Sequence, residues 1–142
     1  EVTIDEVLAD PDVMNESAQA AIEIAGQIAV LKQETGIADA EIFTIPFLHQ
    51  PTNEGSVAFQ PGTVNGIYLS DRDFGVPKPW GPNIGGQDIF EAHLVEAFAP
   101  YGINVHFIED WNLYHRLSGE VHCGTNTTRV VPDADRWWES VP

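Results

Sequence analysis

The longest regular pattern of apolar positions lies near the start of the chain, at about residues 14–34. Apolar side chains recur there at spacings of three and four, which predicts an amphipathic helix. Gly36 follows the last periodic position as a helix stop, and Asn15 is placed to cap the start. The positions expected to face inward are Ala18, Ala21, Ile22, Ala25, Ile28, Ala29 and Leu31.

A second helical pattern occupies about residues 88–99, and Pro100 and Gly102 end it. Its expected inner positions are Ile89, Phe90, His93, Leu94, Ala97 and Phe98.

Short apolar runs predict four strands, at about residues 41–45, 64–70, 103–108 and 127–131. Residues 50–62 are rich in proline, glycine and polar side chains, which predicts an exposed loop. Residues 73–86 contain more glycines and prolines still and predict an ordered, irregular connection. The alternation of helices and strands indicates the α/β fold class, and no linker divides the chain into two domains.

Composition narrows the range of partners. The 142 residues are 43% hydrophobic, which is enough to bury a core in one domain. The formal net charge of −16 argues against binding nucleic acid or an anionic membrane, because both need clustered Lys and Arg. A cationic partner is the complement of such a surface, although an acidic surface that serves solubility alone remains an alternative.

The sequence gives little information on the cellular compartment of the protein. No apolar stretch approaches the ~20 residues that span a bilayer, and Glu1 does not open a signal peptide. One cysteine excludes an intrachain disulfide. Sequons for N-glycosylation occur at Asn15 and Asn126. Secreted and cytoplasmic locations both remain open, and the acidic composition and the Asn15 sequon favour secretion.

The segment most typical of chemistry surrounds the single cysteine, Cys123. It has the sequence Gly-Glu-Val-His-Cys-Gly-Thr-Asn over residues 119–126, with Gly119 and Gly124 flanking the thiol and His122 beside it. Glycines let the backbone turn sharply and approach a substrate. The pattern therefore predicts a reactive thiol, and the alternative is an inert cysteine that packs as a small hydrophobe.

This segment resembles the C-terminal part of the peptidylarginine deiminase family. The resemblance extends over nearly the whole chain. It is carried by Ile45-Pro46, Val64-Asn65, Pro77 to Pro82, Phe107 to Asp110, Tyr114-His115, Gly119 to Asn126, Trp137-Trp138 and Val141-Pro142.

The resemblance implies a five-bladed α/β propeller, the pentein-like fold, of which this chain supplies roughly the last two blades. Residues 1–142 would then be the C-terminal segment of a protein-arginine deiminase catalytic domain. A partial propeller leaves sheet edges and apolar faces uncovered. The expected partners are the upstream remainder of that domain and an arginine-containing protein or peptide substrate.

The activity that the resemblance implies is hydrolytic deimination of peptidyl arginine to citrulline and ammonia. Cys123 would be the nucleophile and would form a covalent thiouronium intermediate. The family supplies its proton carrier and its guanidinium-binding carboxylates from a His-x-Asp motif and a separate Asp upstream of the cysteine. None of the five histidines here is followed two residues later by Asp. The chain alone is therefore expected to be inactive.

Two further residues are weaker candidates for contact with substrate. His122 adjoins the nucleophile, but neighbouring side chains in extended backbone point apart, so tuning of the thiol is the more natural role. Arg116 lies where some deiminases of the family carry an arginine that touches the substrate backbone. The register is off by one, since Leu117 occupies the matching position. A surface salt bridge is an equal alternative for Arg116.

Calcium is expected only in the full-length enzyme. Mammalian-type members of the family are calcium-dependent, with ligands mostly upstream of the segment that this chain resembles. The acidic groups at residues 109–110, 71–73 and 133–135 lack the ligand spacing of a calcium loop, and no zinc spacing is present either. No metal ligand is thus assigned to this chain.

Two other functions remain open. One is a catalytically silent binding or scaffold module that keeps the pentein fold. The other is a general cysteine hydrolase, for which the chain shows no supporting spacing of histidine and Asn or Asp.

Overall fold

A computed structural model describes residues 2–128, and it contains both helices and strands. The helices are α1 (Ile4–Ala9), α2 (Pro11–Thr35) and α3 (Ile89–Phe98). The strands are β1 (His49–Thr52), β2 (Gly55–Ala58), β3 (Ile67–Ser70), β4 (Asp73–Pro77), β5 (Asn83–Ile84), β6 (Gln87–Asp88) and β7 (Asn104–Ile108). Short 3-10 helices occupy Asp39–Glu41, Ala99–Tyr101, His115–Leu117 and His122–Gly124. The α/β class is confirmed.

The first predicted helix is confirmed as α2, which begins earlier than expected. Asp10 caps it, because its carboxylate accepts hydrogen bonds from the backbone N–H groups of Asp12 and Val13. Pro11 suits the first turn, where its missing N–H would have had no partner. Asn15 as the cap was therefore wrong. Gly36 ends α2 in the left-handed region, with φ of 73°, as predicted.

The inward face predicted for α2 is not buried. Within this helix Val13 is the buried side chain, and Ile22 is 68% exposed. The helix contacts the rest of the chain near its first half, where the Ser17 hydroxyl accepts a hydrogen bond from the His49 N–H at 2.9 Å. Beyond that point Ile28 is partly buried, and the other large apolar side chains of α2 stay exposed among the described residues.

The main sheet has the order β3-β4-β7 and places one small core against α3. Strands β3 and β4 are antiparallel, and β4 and β7 are parallel, joined through α3. Alternate residues of β4 and β7 face α3 and close the core. The core consists of Phe74, Val76, Leu94 and Phe98, with Ile45, Ile103, Val105 and Phe107 packed against it.

Helix α3 and strand β7 confirm their predictions, and the strand predicted at 64–70 shortens to β3. Asp88 begins α3 because its carboxylate accepts hydrogen bonds from the Phe90 and Glu91 N–H groups. His93 was expected to face inward. It is exposed instead, and its ring nitrogen is 3.0 Å from the Thr44 carbonyl oxygen.

Three local predictions were wrong. Residues 41–45 form no strand; a 3-10 turn and extended backbone replace it, and Ile45 packs on the core without ladder partners. Residues 50–62 contain the hairpin of β1 and β2. Residues 73–77 form β4, the central strand of the sheet, where the Leu69 and Ile108 side chains approach the bare Cα of Gly75.

The last predicted strand, at 127–131, lies mostly outside the described residues, and its first two positions, Thr127 and Thr128, are not in a strand. Trp137-Trp138 and the acidic group at 133–135 also lie outside them. Among residues 2–128, none of the helices is both long and apolar enough to cross a bilayer.

Candidate active site

Cys123 lies in a tight loop that follows the sheet. The Asp110 carbonyl oxygen accepts hydrogen bonds from the N–H groups of Leu113, Tyr114 and His115, which turns the chain back after β7. The segment then continues into the 3-10 turn His122–Gly124, whose thiol is exposed to solvent. The thiol is therefore accessible to a substrate rather than enclosed in hydrocarbon.

Asn65, just before β3, holds this loop through several polar contacts. The backbone N–H of His122 donates to the side-chain oxygen of Asn65 at 3.0 Å and to its carbonyl oxygen at 3.1 Å. The side-chain amide of Asn65 donates to the Cys123 sulfur at 3.4 Å. These contacts join positions 57 and 58 residues apart and fix the thiol relative to the sheet.

The backbone angles of the two flanking glycines do not require glycine, and at Gly124 the requirement is instead a lack of room for a side chain. Neither Gly119 nor Gly124 has a positive φ. A Cβ added at Gly124 would lie 2.5 Å from the ring carbons of Tyr114, whereas one added at Gly119 would meet Cys123 Cβ at an ordinary 3.5 Å. Gly124 is thus the position where the Tyr114 ring packs directly on the backbone beside Cys123.

This packing gives a testable difference between the two glycines. Gly124→Ala is expected to lower the free energy of unfolding by about 1–3 kcal/mol, because the Tyr114 ring must move. Gly119→Ala is the matched control and should stay within about 0.5 kcal/mol. Urea unfolding measures both. The Gly124→Ala cost should largely vanish in a Tyr114→Ala background, and an equal cost in both backgrounds would contradict the contact.

A buried acidic pair lies at the base of the Cys123 loop. Asp110 is 3% exposed and Glu120 is 6% exposed. Glu120 Oε1 is 2.9 Å from His115 Nδ1. Among the described residues, no group donates a hydrogen bond to either carboxyl oxygen of Asp110 when Asp110 and Glu120 are both ionised. A proton on one of these two carboxyls would supply the missing donor. Burial first, then the negative charge of Glu120, raises the pKa of Asp110 to about 6.

The raised pKa of Asp110 predicts a pH-dependent stability. The native state holds this proton more tightly than the unfolded chain, so the carboxyl contributes fully below the unfolded pKa of 3.8. That contribution is lost as the pH rises through about 6. Asp110→Asn cannot ionise, and above about pH 6 it should be more stable than the parent by about 1 kcal/mol or more.

Urea unfolding at about pH 5 and about pH 7.5 tests this expectation, since the advantage of Asp110→Asn should shrink toward acid pH. Asp71→Asn changes an exposed carboxyl by the same chemistry and serves as the control. An Asp110→Asn variant that is less stable than the parent at both pH values would contradict the buried acid pair.

The structure does not bring the two weaker candidates into contact with the thiol. The hydrogen bonds of His122 within residues 2–128 are made by its backbone, and its side chain is exposed. Arg116 lies exposed in the 3-10 turn His115–Leu117, with no ion pair to any described residue. Leu117 beside it is also exposed.

A histidine–aspartate pair does exist, formed across the sheet rather than along the sequence. His106 Nε2 on β7 is 2.8 Å from Asp73 Oδ1 on β4. Hydrogen bonds from Ser70, then His106 and Asn104, lower the pKa of Asp73 to about 2. In the part of the chain that the structure describes, no hydrogen bond connects this pair to Cys123 or Asn65. The sequence could indicate this pair only if the register of the parallel strands β4 and β7 were already known.

Within residues 2–128 no group of three or more His, Cys, Asp or Glu side chains could hold a metal ion. Two of the acidic groups singled out in the sequence have local explanations, because Asp73 contacts His106 and Asp110 lies against Glu120.

Comparison with known proteins agrees with the resemblance seen in the Cys123 segment. A model of the protein-arginine deiminase family matches residues 1–139. The chain is 38% identical over 141 residues to protein-arginine deiminase type-3 of Rattus norvegicus, covering 99% of this chain and 21% of that relative. It is 38% identical over 140 residues to type-1 of Mus musculus, with 99% and 21% covered.

It is also 40% identical over 114 residues to type-4 of Homo sapiens, covering 80% of this chain and 17% of that relative. The chain thus spans about a fifth of the length of the curated relatives that it matches. The family match over nearly the whole sequence includes the segment in which Asn65 holds the exposed thiol. The chain belongs to the protein-arginine deiminase family.

Proposed function

We propose that this chain carries the nucleophile of a protein-arginine deiminase, which hydrolyses peptidyl arginine to citrulline and ammonia. The observation that supports the proposal most is the exposed thiol of Cys123, which Asn65 fixes to the sheet. Both residues lie within the region that matches the model of the protein-arginine deiminase family. An upstream stretch of polypeptide supplies the His-x-Asp motif and a separate Asp. This chain together with that stretch is called the assembled protein below.

The reaction needs a nucleophile stronger than water, because resonance deactivates the guanidinium carbon. The Cys123 thiolate adds to this carbon and gives a tetrahedral adduct. The C–N bond to a terminal nitrogen breaks, and the nitrogen leaves as ammonia after it accepts a proton. Water then adds to the thiouronium carbon, the C–S bond breaks, and citrulline and the thiolate are released. A proton carrier within hydrogen-bond reach serves both steps.

The carboxylates that bind the guanidinium are proposed to lie outside the described residues, because the acidic side chains near Cys123 are buried. Asp110 and Glu120 are the buried acids of this loop, and Glu120 is turned toward His115. A substrate guanidinium needs carboxylates that face the open side of the thiol, where charge-assisted bidentate bonds can form. In this proposal those carboxylates belong to the upstream stretch, and so does the calcium dependence.

The exposed apolar side chains of this chain support the proposal that a partner covers them. Helix α2 exposes apolar side chains around its circumference, among them Ile22, Val30 and Leu31. Large exposed apolar patches of this kind typically mark interaction surfaces. We infer that residues 1–142 form roughly the last two blades of a five-bladed propeller and that the upstream remainder of the catalytic domain packs on these side chains.

The substrate is proposed to be an arginine in a protein or peptide. The net charge of −16 favours a cationic ligand through long-range attraction. Arg116 and His122 are both exposed on the loop segment that ends at Cys123. Arg116 is proposed as a minor contact to the peptide backbone, and His122 as a minor substrate contact that also tunes the thiol.

Citrulline and ammonia release from an arginine-containing peptide tests the proposal. The assembled protein is expected to produce both in equal amounts, whereas the chain alone should produce neither. Formation of neither product by a folded assembled protein, with calcium present, would favour a silent pentein-fold binding or scaffold module instead.

A further inference from the structure

Asn65 contacts both the backbone and the sulfur of the nucleophile segment. Its side-chain oxygen accepts the His122 N–H at 3.0 Å, which fixes the orientation of the amide and leaves the NH2 group facing the Cys123 sulfur at 3.4 Å. The thiol can donate back to the same amide oxygen at a longer 3.8 Å. Once the thiol loses its proton, the contact that remains between the two side chains is the N–H donated to sulfur.

The backbone around Asn65 is held firmly enough for this contact to be reproducible. The Asn65 N–H donates to the Gly62 carbonyl oxygen at 3.0 Å, and Thr63 is buried. Gly66 follows at a position where an added Cβ would lie 2.6 Å from the Gly75 carbonyl oxygen. Gly62, three residues before Asn65, lies against Phe47, and Gly66, the residue after it, lies against β4, so both positions restrict the backbone that carries the amide.

We propose that Asn65 is a positioning residue for Cys123: it clamps the 3-10 turn through the His122 N–H and stabilises the thiolate by donating an amide N–H to sulfur. A hydrogen bond to the charged form of a group favours that form. This role rests on the proposed function, since it serves a thiolate that attacks a guanidinium. No other side chain among residues 2–128 forms a hydrogen bond with the sulfur.

The other ionisable side chains around the thiol keep their identities in the Asn65 variants. His122 precedes the cysteine, and the Tyr114 ring packs beside Gly124. The Glu120 carbonyl oxygen accepts the Gly124 N–H, while its carboxyl contacts His115 and Asp110. Circular dichroism and the unfolding midpoint identify any Asn65 variant that displaces these groups by releasing the loop.

Two variants separate the two contacts of the Asn65 side chain, namely its oxygen with the His122 N–H and its NH2 group with the Cys123 sulfur. Asn65→Asp keeps an oxygen for the His122 N–H but places a carboxylate where the donor was, whereas Asn65→Ala removes both contacts. The measurement is the rate at which iodoacetamide, a neutral reagent, alkylates the chain as a function of pH. Cys123 is the single cysteine, so the rate has one source. Asn53→Asp, in the β1–β2 turn, adds the same charge elsewhere and is the control.

For Asn65→Asp the alkylation profile is expected to move to higher pH, with a rate near pH 7 about tenfold below the parent. Its circular dichroism and unfolding midpoint should stay near those of the parent. Asn65→Ala should also lose rate near pH 7. Asn53→Asp should follow the parent profile. Superimposable profiles for Asn65→Asp and the parent would overturn the proposal, and so would an equal shift in Asn53→Asp.

Should Asn65→Asp fail to fold, the Asn65→Ala profile decides alone, and a parent-like profile there would equally refute the role. Because the readout is alkylation and not citrulline, the two proposals fail separately. A shifted profile together with an inactive assembled protein would refute the deiminase function and leave the role of Asn65 standing.

Discussion

Cys123→Ser is expected to lower citrulline formation by the assembled protein by about 10⁴-fold or more, because the hydroxyl is a much weaker nucleophile toward a guanidinium carbon. The replacement is nearly isosteric, and among the described side chains the exposed thiol forms hydrogen bonds only with Asn65. The free energy of unfolding should therefore change little. The measurement is the initial rate of citrulline release from an arginine-containing peptide at saturating substrate.

Thr52→Ser is a suitable control, because serine preserves the hydroxyl that donates to the Gly55 carbonyl oxygen in the β1–β2 hairpin. It should retain the parent rate. A Cys123→Ser enzyme with a rate within a few-fold of the parent would exclude covalent catalysis by this sulfur.

The second large effect is on stability. Leu94→Ala is expected to lower the free energy of unfolding by about 2–5 kcal/mol, since Leu94 is 0% exposed at the centre of a core with four buried members. Such a loss is comparable to the whole stability of a small domain. The variant should therefore be largely unfolded at modest urea concentrations, as followed by far-ultraviolet circular dichroism.

Val95→Ala, the next residue on α3, provides the matched control because Val95 is 47% exposed. It should cost well under about 1 kcal/mol. Equal unfolding midpoints for the two variants would show that the face of α3 that packs on the sheet is not the one described here.

The helices could be predicted from the sequence because their signals are local. The spacing of apolar residues and the glycine at position 36 indicate α2, and Asp88 with the apolar pattern after it indicates α3. The exposed face of α2 could not be predicted, because burial depends on what packs against a helix and the described residues leave that face open.

The strands were harder because their partners are distant in sequence. Strand β4 contains Gly75 and Pro77, which are turn signals in an unpaired segment, yet pairing with β3 and β7 makes it the central strand. Pro51 similarly disguised β1, which pairs with β2 in a short hairpin. Tertiary pairing overrides local preference at both places.

The candidate site divides in the same way. Cys123 stood out from its glycine-rich neighbours, and its exposure agrees with a reactive thiol. The reason for Gly124 was different from the expected one, because it makes room for the Tyr114 ring. The contact of Asn65 with the sulfur spans 58 positions, and the burial of Asp110 depends on Glu120 and the surrounding fold. Neither leaves a local pattern in the sequence.

The central claim is that the sulfur of Cys123 attacks a bound guanidinium carbon, and a haloacetamidine, which mimics guanidinium and alkylates activated thiols, tests it most directly. Mass spectrometry of the assembled protein near neutral pH should show one adduct, located on Cys123, whose formation saturates with probe concentration and slows when an arginine-containing peptide is present. Labelling no faster than that of a free thiol, with no protection by the peptide, would contradict the claim.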